Sequence, residues 1–158
     1  MDISISLGSN IEPFANIKIA EDNISENFTI LKSSNLYLSD AEGFEGNSFI
    51  NQVILCETQL PYMDVIQLLK KIEKKLGRRK TKEKYSDRKI DLDLLTYGDL
   101  VFKDDRYEIP HKDIEKYSFV LVPLVEVMPD KIHPKLQLSF KNLLAKKSNF
   151  SEKVKKLD

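Results

Sequence analysis

Residues 2–7 read Asp-Ile-Ser-Ile-Ser-Leu, a strict alternation of polar and apolar side chains that stops at Gly8-Ser9-Asn10. Period two puts Ile3, Ile5 and Leu7 on one face, so the chain opens with a half-buried strand that enters a turn. The period then changes. Phe14, Ile17, Ala20 or Glu21, and Ile24 recur at helical spacing, which predicts a helix over roughly residues 14–27 with Asn10 as its cap. Two strands follow at about 29–38 and 49–58, separated by a polar loop that holds Gly43 and Gly46. Val65, Leu68, Leu69, Ile72 and Leu76 mark a second helix, with Pro61 suited to its first position and Gly77 to the residue just past its end. Residues 89–94 alternate again, and Tyr97-Gly98-Asp99 turns into a short Val101-Phe102 strand.

The order strand, helix, strand, strand, helix, strand is that of an α+β, ferredoxin-like split βαβ sandwich. It predicts an antiparallel-rich sheet with helices packed on one face and mobile loops over the active site. Pro110, Pro123, Pro129 and Pro134 should break the remainder into short helices and loops, and residues 146–158 read as a basic C-terminal helix. With 158 residues, no internal repeat and no Gly/Ser linker, the expectation is one domain over 1–158. The lone Cys56 cannot form an internal disulfide, and it sits in an apolar run where a small buried thiol fits. The longest uncharged apolar stretch, 119–125, is far short of a bilayer span, and Asp2 stands where a signal peptide would carry positive charge. A cytoplasmic protein is therefore expected.

Asp91-Leu92-Asp93 is the sharpest local feature. On a strand the two carboxylates share a face about 7 Å apart, opposite the core-facing Ile90, Leu92 and Leu94, where they can grip a hard cation or form a solvated strand face. The neighbourhood favours the cation. Between Lys70 and Lys89 there are eleven basic residues against three acidic ones, whereas the rest of the chain has 14 against 22. The overall balance of 25 against 25 is thus a segregation of charge. Residues 78–87 have no apolar periodicity and read as a basic loop that delivers Arg88 to the acid pair. This is the layout for a polyphosphate with divalent ions, the carboxylates holding metal and Lys/Arg neutralising what remains. Pro110-His111 is a second candidate, and His133-Pro134 reads as structural. The sequence has no phosphate-binding glycine loop, Cys/His cluster or Gly-x-Ser-x-Gly elbow. An RNA-binding module is the rival class, but it needs aromatic side chains on the sheet face where this strand exposes Asp91 and Asp93.

Several blocks in order resemble the 6-hydroxymethyl-7,8-dihydropterin pyrophosphokinase family of folate biosynthesis. They are Leu7-Gly8-Ser9-Asn10, Phe49-Ile50-Asn51-Gln52, Ile72-Glu73 with Gly77-Arg78, Arg88-Lys89-Ile90-Asp91-Leu92-Asp93, Ile109-Pro110-His111, and 119–124. The resemblance runs from Ile3 to about Pro134. It implies transfer of the β,γ-pyrophosphoryl unit of ATP to the pterin hydroxymethyl group, giving AMP and the pterin diphosphate. It further implies two Mg²⁺ on Asp91 and Asp93, with Asp93 a proton acceptor. Arg78 and Arg88 would assist on the phosphates, and Glu73, Lys80, Arg106 and His111 would join them in holding ATP. Phe49 and Phe119 would sandwich the pterin, which suits a chain without Trp, and Asn51 would read its hydrogen-bonding edge with Ser39 and Glu42 completing the site. The expected partners are these two substrates, with no nucleic acid and no membrane, and a monomer is the working expectation. The chain departs from the family pattern in its acidic 39–46 loop without a proline pair. Single-residue departures are Lys80 for Arg, Tyr85 for Trp, Tyr117 for a basic residue and Lys70 for Gln.

Overall fold

A computed structural model of the chain describes residues 1–40, 47–77 and 89–157. The first strand, β1 (Asp2–Ser9), is followed by α1 (Pro13–Asn27), β2 (Thr29–Ser33), β3 (Tyr37–Ser39), β4 (Phe49–Glu57) and α2 (Tyr62–Lys75). Then come β5 (Asp91–Tyr97), β6 (Phe102–Lys103), β7 (Glu108–Ile109), α3 (Asp113–Lys116), α4 (Ser118–Val127), α5 (Phe140–Ala145) and β8 (Lys155–Lys156). The strand order is β5-β1-β4-β3-β8, with β2 also on β4 and every pairing antiparallel. β4 lies between β1 and the β2/β3 run that follows α1, which is the split βαβ arrangement. The short β6–β7 hairpin stands apart as a second sheet.

Alternation decides what each face carries. Ile3, Ile5, Leu7, Ile54, Cys56, Leu92 and Leu94 pack against Ile17, Ala20 and Ile24 of α1 and Val65, Ile66, Leu69 and Ile72 of α2. Val53, one residue from Ile54 and so on the opposite face, packs with Leu95, Ile114, Val120, Leu121, Leu124, Phe140 and Leu143. The sheet thus has helices on both faces rather than one. The second layer has two causes. α4 is apolar nearly all round, so it needs cover on most of its surface, and a bulge opposite Ser4/Ile5 inserts Leu95 into β5 between the Leu94–Ile5 and Thr96–Ser4 pairs, so that Leu95 and Thr96 both lie on the Val53 side. Pro123 does not break α4, which runs through it with Pro123 itself buried in the helix. The packed Val120, Leu121 and Leu124 hold the turn that the missing N–H would have closed.

Smaller departures have local reasons. α1 begins at Pro13, whose fixed φ suits a first turn, with Glu12 in the capping position, while the Asn10 amide donates to the Asn47 carbonyl. Pro61 occupies the cap of α2 rather than its first turn, and Gly77 takes φ 90° just beyond the helix end. The single strand expected at 29–38 is two, because Ser34 takes over the ladder: its N–H donates to the Val53 carbonyl and its Oγ accepts from the Val53 N–H. Residues 146–157 do not form a helix. Asn149 takes φ 64°, outside the helical region, and the β3 edge offers main-chain bonds that β8 takes, with the Leu157 N–H donating to the Leu36 carbonyl. No helix among the described residues is long and apolar enough to cross a membrane.

Candidate active site

β5 delivers the acid pair as alternation requires: Ile90, Leu92 and Leu94 are buried, and Asp91 and Asp93 stand half-exposed on the other face. Asp91 lies opposite Gly8 of β1, Gly8 lies opposite Asn51 of β4, and Asn51 lies opposite Tyr37 of β3. Directly opposed residues share a face, so this row runs from a carboxylate across a glycine to an amide, with about 10 Å of sheet between Asp91 and Asn51. Asp93, Ser6 and Val53 form the next row.

Asn51 is buried and fixed. Its Nδ2 donates to Ser39 Oγ at 2.7 Å and to the Tyr37 carbonyl at 3.3 Å. Both amide hydrogens are engaged, so what Asn51 presents to a ligand is the acceptor Oδ1, a narrower role than the donor and acceptor that the side chain alone would allow. Phe49, two residues before it, lies beside Gly8, since a Cβ on Gly8 would be 3.9 Å from Phe49 Cδ1. Phe119 is the second residue of α4 and stacks on Tyr117 with ring centroids 4.8 Å apart and planes 20° from parallel.

At the β5 edge of the sheet a cleft of about 300 Å³ opens between Ile66, Leu69 and Lys70 of α2, Leu92 to Leu94, the hairpin residues 103–109, and His111 with Lys112. Its floor is apolar and its rim charged, which suits a flat heterocycle carrying phosphates. Arg106 is on this wall, its guanidinium 5.4 Å from the Tyr107 ring centre. Asp104 Oδ1 accepts the N–H groups of Tyr107 and Arg106, bonds that shape the hairpin turn and hold the carboxyl below its ordinary range. Glu73, on the same helix as Lys70, is buried rather than lining the cleft, with Oε1 3.9 Å from Lys70 Nζ.

His111 joins the cleft to the acid pair. Its N–H donates to the Leu95 carbonyl at 2.8 Å, and its Nδ1 accepts the Asp113 N–H at 3.1 Å. In the neutral ring the proton is therefore on Nε2, the atom 3.9 Å from Asp93 Oδ1. Asp93, His111 and Asp113 offer ligand atoms all within 4.8 Å of one another. Of the residues expected from sequence, Asp91, Asp93, Asn51, Ser39, Phe49, Phe119, His111, Arg106 and Glu73 are thus placed, while Glu42, Arg78, Lys80, Tyr85 and Arg88 lie outside the described residues.

Residues 4–129 match the model of the 7,8-dihydro-6-hydroxymethylpterin-pyrophosphokinase family. The chain belongs to this family. Within the pyrophosphokinases it is 37% identical over 134 residues to the 2-amino-4-hydroxy-6-hydroxymethyldihydropteridine pyrophosphokinase of Aquifex aeolicus, covering 84% of this chain and 83% of that protein. The Haemophilus influenzae protein of the same name is 33% identical over 138 residues, 85% of this chain and 86% of its own. Wild-type HPPK-DHPS of Plasmodium falciparum shares the fold with a TM-score of 0.75 at 13% identity, covering 98% of this chain. The chain spans about half the length of that structure, 48%. Asp113 and Tyr117 escaped the sequence reading of this pyrophosphokinase. Asp113 has a signal, a carboxylate two residues after His111; Tyr117, in sequence a lost positive charge, backs Phe119.

Proposed function

We propose that the row Asp91–Gly8–Asn51 is the axis along which the two substrates meet. The chain transfers the β,γ-pyrophosphoryl unit of ATP to the hydroxymethyl group of 6-hydroxymethyl-7,8-dihydropterin in folate biosynthesis, releasing AMP. The pterin hydroxyl oxygen bonds to the β-phosphorus, the bond from that phosphorus to the α–β bridging oxygen breaks, and the hydroxyl proton leaves to Asp93. The observation that carries this reading is the juxtaposition of a buried, oriented amide with a half-exposed acid pair across a residue that has no side chain.

The side chains divide between the two substrates. Asn51 Oδ1 accepts from the N–H edge of the pterin, and Ser39 holds it in that orientation. Phe49 and Phe119 take the two ring faces, Phe119 stiffened by Tyr117. The cleft over Ile66, Leu69 and Leu92 takes the adenine, with Lys70 and Arg106 on its rim. His111 Nε2–H donates to a phosphate oxygen, a role its Nδ1 bond to Asp113 enforces by fixing the tautomer. Glu73, Lys80, Arg78 and Arg88 complete the ATP set, with both arginines on the phosphates, and Glu42 the pterin set. The donors at Asp91 and Asp93 are hard carboxylate oxygens, which fit Mg²⁺, and two ions are proposed there. Bound there, they would neutralise the triphosphate and acidify a coordinated hydroxyl.

Residues 1–158 are proposed as one such domain, acting as a monomer in the cytoplasm; both apolar clusters are built on one sheet, and Cys56 is a buried free thiol. Incubation with ATP, Mg²⁺ and the hydroxymethyl pterin should release AMP. Release of ADP, or no nucleotide product from folded protein, would overturn the proposal.

A further inference from the structure

α4 reads Ser-Phe-Val-Leu-Val-Pro-Leu-Val-Glu-Val, and Glu126 is its one charged residue. Its carboxylate accepts from Tyr37 Oη at 2.6 Å, from the Asn35 N–H at 2.6 Å and from Asn35 Nδ2 at 3.1 Å, while its main-chain carbonyl accepts from Lys32 Nζ at 3.1 Å. Burial alone would raise its pKa. The bonds from Tyr37 and Asn35, with Lys156 nearby, outweigh that and hold it below the ordinary value, so an anionic acceptor is present at neutral pH.

All these partners lie in residues 32–37, the run that leads into Ser39. Tyr37 also offers the carbonyl that Asn51 Nδ2 reaches, and it faces Asn51 in register. At the other end of α4, seven residues and about 10 Å away, stands Phe119 on the same side of the helix. One rigid helix thus carries a pocket wall at its start and a clamp on the opposite wall near its end.

We infer that Glu126, acting through Tyr37, is a positioning residue for pterin: it sets the spacing between Phe119 and the Asn51–Ser39 edge. The inference rests on the pterin pocket proposed above. Its test measures the dissociation constants of the pterin and of a non-hydrolysable ATP analogue with Mg²⁺ in Y37F, E126Q and E126A, alongside thermal melting. Removing the Tyr37 hydroxyl should weaken pterin binding roughly tenfold, the worth of one hydrogen bond to a charged group, with ATP-analogue affinity unchanged within about twofold. E126Q, which keeps an acceptor, should fall between wild type and E126A, and adding Y37F to E126A should cost little more. Wild-type pterin affinity in Y37F, at whatever melting temperature, or equal losses for both substrates, would overturn the inference. F119A separates the two levels: if it too leaves pterin affinity intact, the pocket itself is wrong, whereas if F119A loses pterin and Y37F does not, only the positioning role falls.

Discussion

Gly8 is the floor of the proposed site, and adding side-chain atoms there tests the geometry with little disturbance elsewhere. A Cβ built on it would lie 3.4 Å from Asn51 Oδ1 and 3.9 Å from Phe49 Cδ1, both ordinary van der Waals distances, and Gly8 is not among the positive-φ glycines. G8A should therefore fold with unchanged stability or gain about 0.4–1 kcal/mol, because alanine leaves the unfolded chain fewer conformations to lose. The methyl would nevertheless stand beside the acceptor that Asn51 presents, where the pterin N–H edge must approach. G8V adds two further carbons on the open side of the sheet. Where they meet the ligand, overpacking costs about 1–3 kcal/mol, roughly a 5- to 150-fold loss of pterin affinity, while any clash with the protein itself lowers the melting temperature. Calorimetric titration of pterin into wild type, G8A and G8V, beside melting curves, reads both quantities. Wild-type pterin affinity in a folded G8V would refute the row as the ligand's floor. An unfolded G8A would show that the glycine serves the backbone instead.

D93N keeps the shape of the side chain and removes its charge; AMP formation should fall by at least ~10²-fold while pterin still binds, and near-wild-type turnover would remove Asp93 from the acid pair's proposed role. H111A removes the acceptor of the Asp113 N–H and the Nε2 donor together, so it should raise KM for ATP more than KM for pterin, and an equal rise would contradict a phosphate role. Burial lowers the pKa of His133 from 6.5, and its Nδ1 accepts the N–H groups of Lys135 and Leu136. The unfolded chain therefore takes up the proton first, and the stability His133 contributes is complete above about pH 6.5 and declines as pH falls towards its folded pKa. Urea unfolding of wild type and H133Q at about pH 7.5 and about pH 5.5 should show a smaller drop in the variant, and parallel drops would contradict it. The Cys56 thiol, pushed up to about 12 by burial, should react with a thiol reagent only as fast as the protein opens, so rapid labelling of folded protein would count against its burial.

The acid pair was legible because period two is local: knowing that Leu92 is apolar suffices to place Asp91 and Asp93 on the other face. The second helical layer was not legible by that rule. Alternation in β1 declares one apolar face and fills the other with Ser4, Ser6 and Gly8, which looks like a solvated side. Yet Ser4 is fully buried, its hydroxyl paired with Thr96 Oγ1 at 2.6 Å across the β5 bulge. A buried hydroxyl satisfied by another is indistinguishable in sequence from an exposed one. The C-terminal strand was missed for a different reason: whether 155–156 pairs depends on a free edge at β3, a fact about topology that no window of residues contains.

The same small side chains explain why the site is where it is. The second layer packs on Val53 and Leu95, whereas Phe119 and the residues next to it mark the beginning of α4. One row further along the sheet, Gly8 has no side chain to fill the space beside that layer. Asp91 and Asn51 on either side of it remain reachable on a face that is otherwise core. The position of α4 therefore decides both which part of the sheet is sealed and which is left as a pocket. A residue that fixes that position, as Glu126 is inferred to do, acts on substrate spacing from the opposite end of the helix. By this reasoning a core variant that merely loosens α4, such as L124A, should lower melting temperature and pterin affinity together while leaving the β5-edge cleft intact. A loss of ATP-analogue affinity as large as the loss for pterin in L124A would show that the two subsites are not set by separate elements.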